Sequence, residues 1–359
     1  MPLKFTSNYK KTFKIRHIYP KAMEILVIKL GAIGDVIRTT AILSGLKERY
    51  KDCKIDWVTK KESFDVLKNN NRINKIFLID NNIEKIKNHE YDLIINLDDD
   101  NEACTLATKI SHKEIIGAYL DNGKKTYTKN SYLWFDMGLI SKFGKEKADE
   151  LKAKNNKTYQ EIMYNILGLK YNKQEPILIL SNKELEFGKK FAEKNNIKSN
   201  DLVIGINTGA GGRWQDKKLG IEETAELIDK LSNELGNKNI KILLFGGPEE
   251  KERNEKIKKL AKTEIIDAGC DNSLMEFASL VNLCSILVTS DSLALHIGTA
   301  LKKKIVSFFY STSAAEIELY NRGVKVIGKG KDYCSYKARC NYPAEWDIDE
   351  IVNAVKKMV

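Results

Sequence analysis

The chain has 359 residues, of which 42% are hydrophobic and 30% are charged, and its formal net charge is +11. This length and composition are those of a globular protein with room for two domains. No apolar run approaches the roughly 18 residues that a membrane-spanning helix needs, and six cysteines in so long a chain do not make a disulfide framework.

The excess of positive charge is compatible with three kinds of partner: nucleic acid, an anionic membrane surface and an anionic substrate. The 60 basic residues are scattered among 49 acidic ones. No known nucleic-acid-binding module is present, so we expect no nucleic-acid partner. A solvated surface without any partner is the alternative interpretation of the charge.

Residues 1–22 form a basic extension that contains Lys and Arg and no acidic residue. The extension lacks the apolar core of a signal peptide, so we expect a cytoplasmic protein. Either this extension contacts an anionic membrane at its inner face, which would make the protein peripheral, or its aromatic and aliphatic residues pack on the first domain.

The first regular unit predicts a strand, a glycine turn and a helix. Residues 25–28 (ILVI) have the length and β-branched content of a strand buried on both faces, and apolar residues then recur at helical spacing. Gly31 and Gly34 favour a tight turn because glycine adopts backbone angles that a Cβ forbids. Asp35 lies where the helix begins, at the mouth where open α/β sheets bind ligands. The alternative is that Asp35 only caps the helix.

Strands and helices continue to alternate through the first half, a pattern typical of parallel βαβ units. Strands are predicted at 54–59, 75–80, 91–97 and 114–117, and helices within 60–70, at 102–110 and at 158–167. The acidic run Asp98 to Asp100 consists either of loop and capping residues or of oxygen ligands for a divalent cation. Residues 122–156 are the least regular part, and a long ordered loop is usually functional or mobile.

A second α/β series follows a boundary that we place between Gly168 and Ser181. Its strands are predicted at 202–206, 240–245, 264–267, 286–289 and 304–309, and its helices at 222–235 and 347–358. The domains that we draw are the extension 1–22, a first domain 23–175, a second domain 176–340 and a tail with a helix at 341–359. Two similar halves leave a cleft between them, which is the default ligand site.

Two loops of the second domain have the residues of an anion site. In 207–218 (NTGAGGRWQDKK), glycines let the backbone approach a phosphate, and Arg213, Lys217 and Lys218 can neutralise it. The alternative is a flexible loop with solvated lysines. In 288–300 (VTSDSLALHIGTA), a helix begins at Ser290-Asp291-Ser292, where free N–H groups favour an anion. His296 falls in the second turn of that helix, and a purely structural role is its alternative.

The combination of KLGAIGDVIRTT, GAGGRWQDKK and SDSLALHIGTA, in this order, resembles the family-nine glycosyltransferases, the ADP-heptose heptosyltransferases of lipopolysaccharide synthesis. The resemblance covers roughly residues 23–330. It implies a GT-B fold, in which two Rossmann-like domains with parallel sheets face each other across a cleft and the terminal helix crosses back to the first domain. The second domain would bind the nucleotide-sugar donor and the first the acceptor.

The resemblance also implies an inverting transfer that uses no metal and no cofactor, which weighs against Asp98 to Asp100 as ligands. The expected donor is ADP-heptose, and the expected acceptor is a hydroxyl of a glycan or of a lipid-linked, lipopolysaccharide-core-like molecule. Asp35 resembles the general base and Lys217 the lysine that meets the donor diphosphate. The remaining donor contacts are predicted at Thr208, Gly209, Arg213, Ser290, Asp291, Ser292 and His296, and the acceptor-side loop at Gly31, Gly34 and Arg38.

The sequence departs from the family pattern in two places. Leu293 stands where the family has a glycine after Asp-Ser/Thr. Many relatives carry several cysteines near the C-terminus, whereas here Cys334 and Cys340 make at most half of a tetrahedral metal site, which Cys270 or Cys284 would have to complete.

Two other classes of function stay open on the sequence alone. Another GT-B enzyme, such as a non-hydrolysing sugar-nucleotide 2-epimerase, would bind a nucleotide similarly but would need no acceptor. A non-enzymatic binder of an anionic ligand would need only the positive charge.

Overall fold

The structure is a computed structural model, and it describes residues 22–81, 83–211, 215–236, 238–337 and 339–359. The basic extension predicted at 1–22 lies outside the described residues except for its last one. Among the described residues, no helix is long and apolar enough to cross a bilayer.

Strands and helices alternate along most of the chain. The strands are β1 (Glu24–Ile28), β2 (Lys54–Thr59), β3 (Lys75–Leu78), β4 (Tyr91–Asn96), β5 (His112–Asp121), β6 (Lys124–Tyr127), β7 (Leu202–Asn207), β8 (Ile240–Phe245), β9 (Ile265–Asp267), β10 (Ile286–Ser290), β11 (Lys304–Phe309) and β12 (Gly323–Ile327). The α-helices are α1 (Ile33–Thr39), α2 (Ile42–Arg49), α3 (Lys61–Leu67), α4 (Glu84–Lys87), α5 (Asn101–Lys109), α6 (Tyr132–Phe135), α7 (Lys145–Lys154), α8 (Tyr159–Ile166), α9 (Asn182–Lys194), α10 (Ile221–Glu234), α11 (Lys251–Leu260), α12 (Leu274–Leu283), α13 (Leu293–Ala300) and α14 (Ile348–Met358).

The strands form two sheets, each with the strand order of a doubly wound fold. The first sheet has the order β3-β2-β1-β4-β5-β6, in which β1 to β5 are parallel and β6 closes an antiparallel hairpin with β5. The second has the order β12-β11-β10-β7-β8-β9, which is the same arrangement counted from β7, and its strands are all parallel. In such a sheet the reversal of strand order lies beside the first strand, here β1 and β7, and ligands bind beyond the carboxyl ends of the strands there.

The strand predicted at 25–28 is confirmed as the centre of the first sheet. Ile25, Leu26, Val27 and Ile28 have no exposed surface, because β1 is hydrogen-bonded on both sides and covered on both faces. The stretch 122–156, predicted as irregular, contains β6, a 3-10 turn, α6 and α7.

The two domains pack against each other through α1 and α13. A Cβ built on Gly34 of α1 would lie 2.4 Å from Cδ2 of His296 in α13, so only glycine allows this approach. The predicted reason for the glycines is wrong, since neither Gly31 nor Gly34 has a positive φ. One buried apolar cluster includes Val36 of α1 and Leu295 of α13, so the core continues across the boundary.

The terminal helix α14 packs on the second domain. Its buried residues Ile351, Val352 and Val355 share a core cluster with Val306 of β11 and Val326 of β12. The prediction that this helix crosses back to the first domain is therefore wrong, because its apolar face is covered where it stands. The domain boundaries drawn from the sequence stay predictions.

We expect Gly34→Ala to destabilise the protein. The added methyl group must displace the buried His296 ring, and overpacking of this kind costs about 1–3 kcal/mol, which exceeds the gain of up to about 1 kcal/mol from the helix propensity of alanine. Urea unfolding measures the free energy. Gly31→Ala is the matched control, because its Cβ would meet no atom within 4 Å. Equal stabilities of the two variants would contradict this account of the interface.

Candidate functional site

Asp35 lies at the cleft and does not cap its helix. The N-cap of α1 is Ala32, and no side chain caps this helix, so the capping alternative is wrong. Oδ1 of Asp35 instead accepts an ion pair from Nη2 of Arg38 at 2.8 Å. One third of the Asp35 side chain is exposed, which leaves the carboxylate accessible from the cleft.

Arg38 is held between the two domains. Its guanidinium lies over the ring of Tyr159, 3.9 Å from the centroid, and 5.8 Å from the ring centroid of Trp134. Its second ion pair runs to Glu316 of the second domain at 3.8 Å. Cation–π contacts of this kind hold a planar guanidinium in one orientation. Arg38 therefore aims a fixed positive charge at Asp35.

The charges around Asp35 keep it ionised. Burial alone would raise the pKa of Asp35, but the cations Arg38 and Lys29 more than offset this effect, so that the pKa lies below its usual value. Lys29, at the end of the first strand, is itself buried and pairs with Asp98. Burial lowers the pKa of Lys29, but the neighbouring carboxylates outweigh it and raise that pKa.

On the second domain, Lys217 and Asp291 form a buried ion pair. Nζ of Lys217 donates to Oδ2 of Asp291 at 2.8 Å and to its carbonyl oxygen at 3.1 Å. Thr312 donates to the same carboxylate oxygen at 2.6 Å. Burial raises the pKa of Asp291, but Lys217 and the hydrogen bonds outweigh it and lower that pKa. The structure thus brings together two of the predicted donor residues.

The residues at the start of α13 are also brought together. Ser292 is the N-cap, and its Oγ lies 3.0 Å from Oγ1 of Thr289 and 3.3 Å from Nδ2 of Asn207. Since α13 begins at Leu293, His296 lies in the first turn and not, as predicted, in the second. Its Nε2 lies 4.0 Å from Oδ1 of Asp291.

Several predicted contacts point away from the cleft. Thr208 donates to the carbonyl of Phe245 and to Asn254 within the domain, and Ser290 is buried at the end of β10. Lys218 pairs with the buried Glu250 at 2.6 Å, so it does not face the same space as Lys217.

The other predicted loop residues differ in their surroundings. Gly209 lines a cavity of the second domain together with Ala210 and Gly211. Gly31 lines the acceptor-side cavity described below. Arg213 lies outside the described residues.

The acidic run has structural partners. Asp98 accepts hydrogen bonds from Lys29 and from the backbone N–H of Leu30, and Asp100 caps α5 by accepting from the N–H of Ala103. Cys334 and Cys340 are free thiols. In the part of the chain that the structure describes, no three His, Cys, Asp or Glu residues are grouped so that they could hold a metal ion.

Three neighbouring cavities share parts of their walls and run across the cleft. The first-domain cavity, about 650 Å³, and the central cavity, about 390 Å³, share Asp35, Arg38, Glu316 and Tyr336. The central cavity and a second-domain cavity of about 550 Å³ share Ala210, Ser292 and Leu293. Asp35 therefore lies at the junction of the first two cavities, and Lys217 lines the central one.

Sequence reasoning missed Glu316 and Tyr336. Tyr336 donates to Glu316 at 2.5 Å, and both line the two cavities that meet at Asp35. These residues stand in long connections without a motif or a period, so no local signal could have found them.

Comparison with known proteins identifies the family of this chain. A family model described as glycosyltransferase family 9 (heptosyltransferase) matches residues 81–344. The chain belongs to this family. It is 24% identical to lipopolysaccharide heptosyltransferase 1 of Campylobacter coli, over 88% of this chain and 92% of that one.

Solved structures support the GT-B fold predicted for this glycosyltransferase. The family-nine glycosyltransferase of Veillonella parvula is similar with a TM-score of 0.73 at 18% identity, over 95% of this chain and 98% of that one. The Escherichia coli heptosyltransferase WaaC, solved with ADP, is similar with a TM-score of 0.61 at 16% identity, over 94% and 100% of the two chains. The fold prediction is confirmed, and the alternative of a non-enzymatic binder is wrong.

We expect His296 of this glycosyltransferase to make stability depend on pH. Burial lowers the pKa of His296 to about 4, and the charge of Arg38 acts in the same direction. Between about pH 4 and the ordinary pKa of 6.5, the unfolded chain binds a proton at this residue that the folded chain does not bind. The free energy of unfolding should therefore fall as the pH falls through this window, by up to roughly 1.4 kcal/mol per pH unit.

His296→Gln removes this titrating group, so its free energy of unfolding, measured with urea, should depend less steeply on pH across the same window. Parallel pH dependences of the wild type and the variant would contradict a depressed pKa of His296.

Proposed function

We propose that this glycosyltransferase moves a heptose from ADP-heptose to a hydroxyl of a lipopolysaccharide-core-like glycan, with inversion at the anomeric carbon and without a metal ion. The observation that carries this proposal is the position of Asp35 at the junction of the first-domain cavity and the central cavity. An acceptor hydroxyl in the first cavity and a donor sugar in the second would meet at its carboxylate.

In the proposed reaction Asp35 is the general base. The acceptor oxygen forms a bond to the anomeric carbon, the bond from that carbon to the diphosphate breaks, and Asp35 takes the hydroxyl proton. Because Arg38 lowers the pKa of Asp35, the carboxylate is ionised but weakly basic. The proton therefore moves late, when the attacking hydroxyl has become acidic through its new bond to carbon.

Positive charge for the leaving diphosphate would come from the second domain. Lys217 lines the central cavity, and the free N–H groups at the start of α13 lie beside it, where the helix dipole also favours an anion. A preorganised cation and N–H donors stabilise charge that develops on a leaving group. Lys217 and these N–H groups would take the role that a divalent cation has in other glycosyl transfers. This supports the proposal of a metal-independent reaction.

We assign the nucleoside to the second-domain cavity. A Cβ built on Gly211 would meet no atom within 4 Å, which leaves room for a phosphate near that backbone, while Leu274 and Phe277 offer an apolar surface to a base. ADP as the nucleotide is supported by a relative, the Escherichia coli heptosyltransferase WaaC, which was solved with ADP.

The acceptor would occupy the first-domain cavity. Trp134 offers an aromatic face to a sugar ring, and Lys60 and Lys152 offer positive charge to acidic groups of the acceptor. An acceptor of the lipopolysaccharide type is suggested by the name of the Campylobacter coli relative.

We expect Asp35→Asn to reduce the transfer rate by about two to four orders of magnitude, because asparagine keeps the shape of the side chain but cannot accept the proton. Transfer is measured with ADP-heptose and a core oligosaccharide acceptor. The melting temperature and the affinity for ADP serve as controls and should stay near those of the wild type. Full activity per folded molecule would reject Asp35 as the base.

We expect Lys217→Ala to weaken ADP binding by about 10- to 100-fold, because a charge-assisted hydrogen bond to the diphosphate is lost. Arg322→Ala is the control: it also breaks an ion pair, with Glu175, and neither Arg322 nor Glu175 lines the central or the second-domain cavity. Calorimetric titration of both variants with ADP separates a loss of binding from a loss of stability.

The same titration with UDP, GDP and CDP tests the choice of nucleotide. Tighter binding of one of these to the wild type would contradict ADP-heptose as the donor but not the role of Lys217. Equal ADP affinity of Lys217→Ala and the wild type would reject the diphosphate contact.

A further inference from the structure

The two most exposed large apolar side chains of the described residues lie in one loop. Leu139 is 92% exposed and Phe143 62%, and Tyr132, in the same stretch, is 52% exposed. We call residues 132–143 the apolar loop. Single exposed apolar residues are ordinary, but several in one loop at the edge of a cavity mark an interaction surface.

The loop is built on a rigid base, so this exposure is part of the fold. Phe135 is buried and stacks on Tyr127 with ring centroids 5.4 Å apart, and Trp134 packs edge-on against Tyr159 at 5.1 Å. The hydroxyl of Tyr127 also accepts from the N–H of Lys142 at 3.2 Å. These contacts fix the loop from beneath and leave Leu139 and Phe143 outside.

Within residues 122–145 the charge is almost entirely positive, although Lys145 pairs with Asp149 just beyond this stretch. Residues 122–145 contain one acidic residue, Asp136, which accepts a hydrogen bond from the hydroxyl of Tyr127. The lysines of this stretch are all exposed: Lys124, Lys125, Lys129, Lys142 and Lys145. Exposed apolar tips flanked by lysines are the residues that enter the interface of an anionic bilayer.

The apolar loop also borders the first-domain cavity. Trp134, Met137 and Leu139 line it, together with Asp35 at its inner end. A surface on which the loop rests would therefore lie next to the opening of this cavity.

We propose that the apolar loop inserts Leu139 and Phe143 into the headgroup region of an anionic lipid bilayer and places the first-domain cavity at that surface. Two contributions favour binding: burial of the apolar side chains and attraction between the lysines and the lipid headgroups. Because no segment spans the bilayer in this contact, the binding is peripheral and reversible. A second copy of the chain fits the surface less well, because two such loops would bring their lysines together. That the bilayer also presents the acceptor rests on the proposed function, whereas the lipid contact itself does not.

Co-sedimentation of the full chain with phosphatidylglycerol-containing vesicles and with phosphatidylcholine vesicles tests this proposal. The variant is Leu139→Ser with Phe143→Ser. The matched control is Leu185→Ser with Leu260→Ser, since these side chains are 45% and 51% exposed on α9 and α11 of the second domain. The measurement is repeated at about 1 M salt, where the Debye length of about 3 Å suppresses electrostatic binding through residues 1–22.

The wild type and the control should bind the anionic vesicles and leave the neutral ones mostly unbound. Each serine in the loop should lower partitioning to the anionic vesicles by about tenfold or more at low salt, because apolar surface is no longer buried in the headgroup region. In high salt the binding of the wild type should fall toward its binding to neutral vesicles, because the attraction of the lysines is screened. Equal binding of the loop variant and the wild type, or no binding of the wild type, would overturn the proposal. So would a dimer in sedimentation velocity that the loop variant abolishes, because it would make the loop a contact between copies.

No donor or acceptor takes part in the vesicle measurement. Its outcome is therefore independent of the transfer reaction, and a different donor or acceptor would leave it unchanged.

Discussion

The ion pair between Asp35 and Arg38 is the contact on which the site depends. Arg38 stacks on Tyr159 of the first domain and forms an ion pair with Glu316 of the second. One guanidinium therefore contacts both domains. The backbone reinforces this arrangement, because the N–H of Tyr159 donates to the carbonyl of Glu316 at 2.9 Å. A change in the distance between the domains would therefore change the charge that Asp35 experiences.

The charged side chains that line the cleft are paired with one another within the protein. Asp35 pairs with Arg38 in the first domain, and Lys217 pairs with Asp291 in the second. A buried charge without a partner would be costly, so this pairing is what permits such a cleft before any substrate is present. It also implies that a diphosphate which binds Lys217 shares the ammonium with Asp291. Thr312, which donates to Asp291, then keeps that carboxylate satisfied.

Much of the fold could be predicted from sequence, for physical reasons that particular elements illustrate. Strands β2 and β11 were predicted with their observed bounds, since both are rich in β-branched and aromatic residues, as is typical of strands that are buried along most of their length. The helices α9 and α12 were not predicted, although each begins with a capping box that is visible in the sequence, and the edge strand β12 was not predicted either. Asp35, Lys217 and Asp291 were found because they follow strands in recognisable loops, whereas Glu316 and Tyr336 reach the cleft only through folding. Gly34 was singled out for its backbone angles, but it is needed for its closeness to His296.

The order of the cavities is consistent with the proposed inversion. In a single displacement the nucleophile and the leaving group must lie on opposite faces of the anomeric carbon. The first-domain cavity is lined by part of the apolar loop and by Asp35, whereas the second-domain cavity shares Ser292 with the central cavity and has no lining residue in common with the first. An acceptor and a nucleotide in these two spaces would approach the central cavity from opposite sides. In the proposed transfer, the base would then stand on the acceptor side, where a proton leaves, and the cation on the nucleotide side, where negative charge develops.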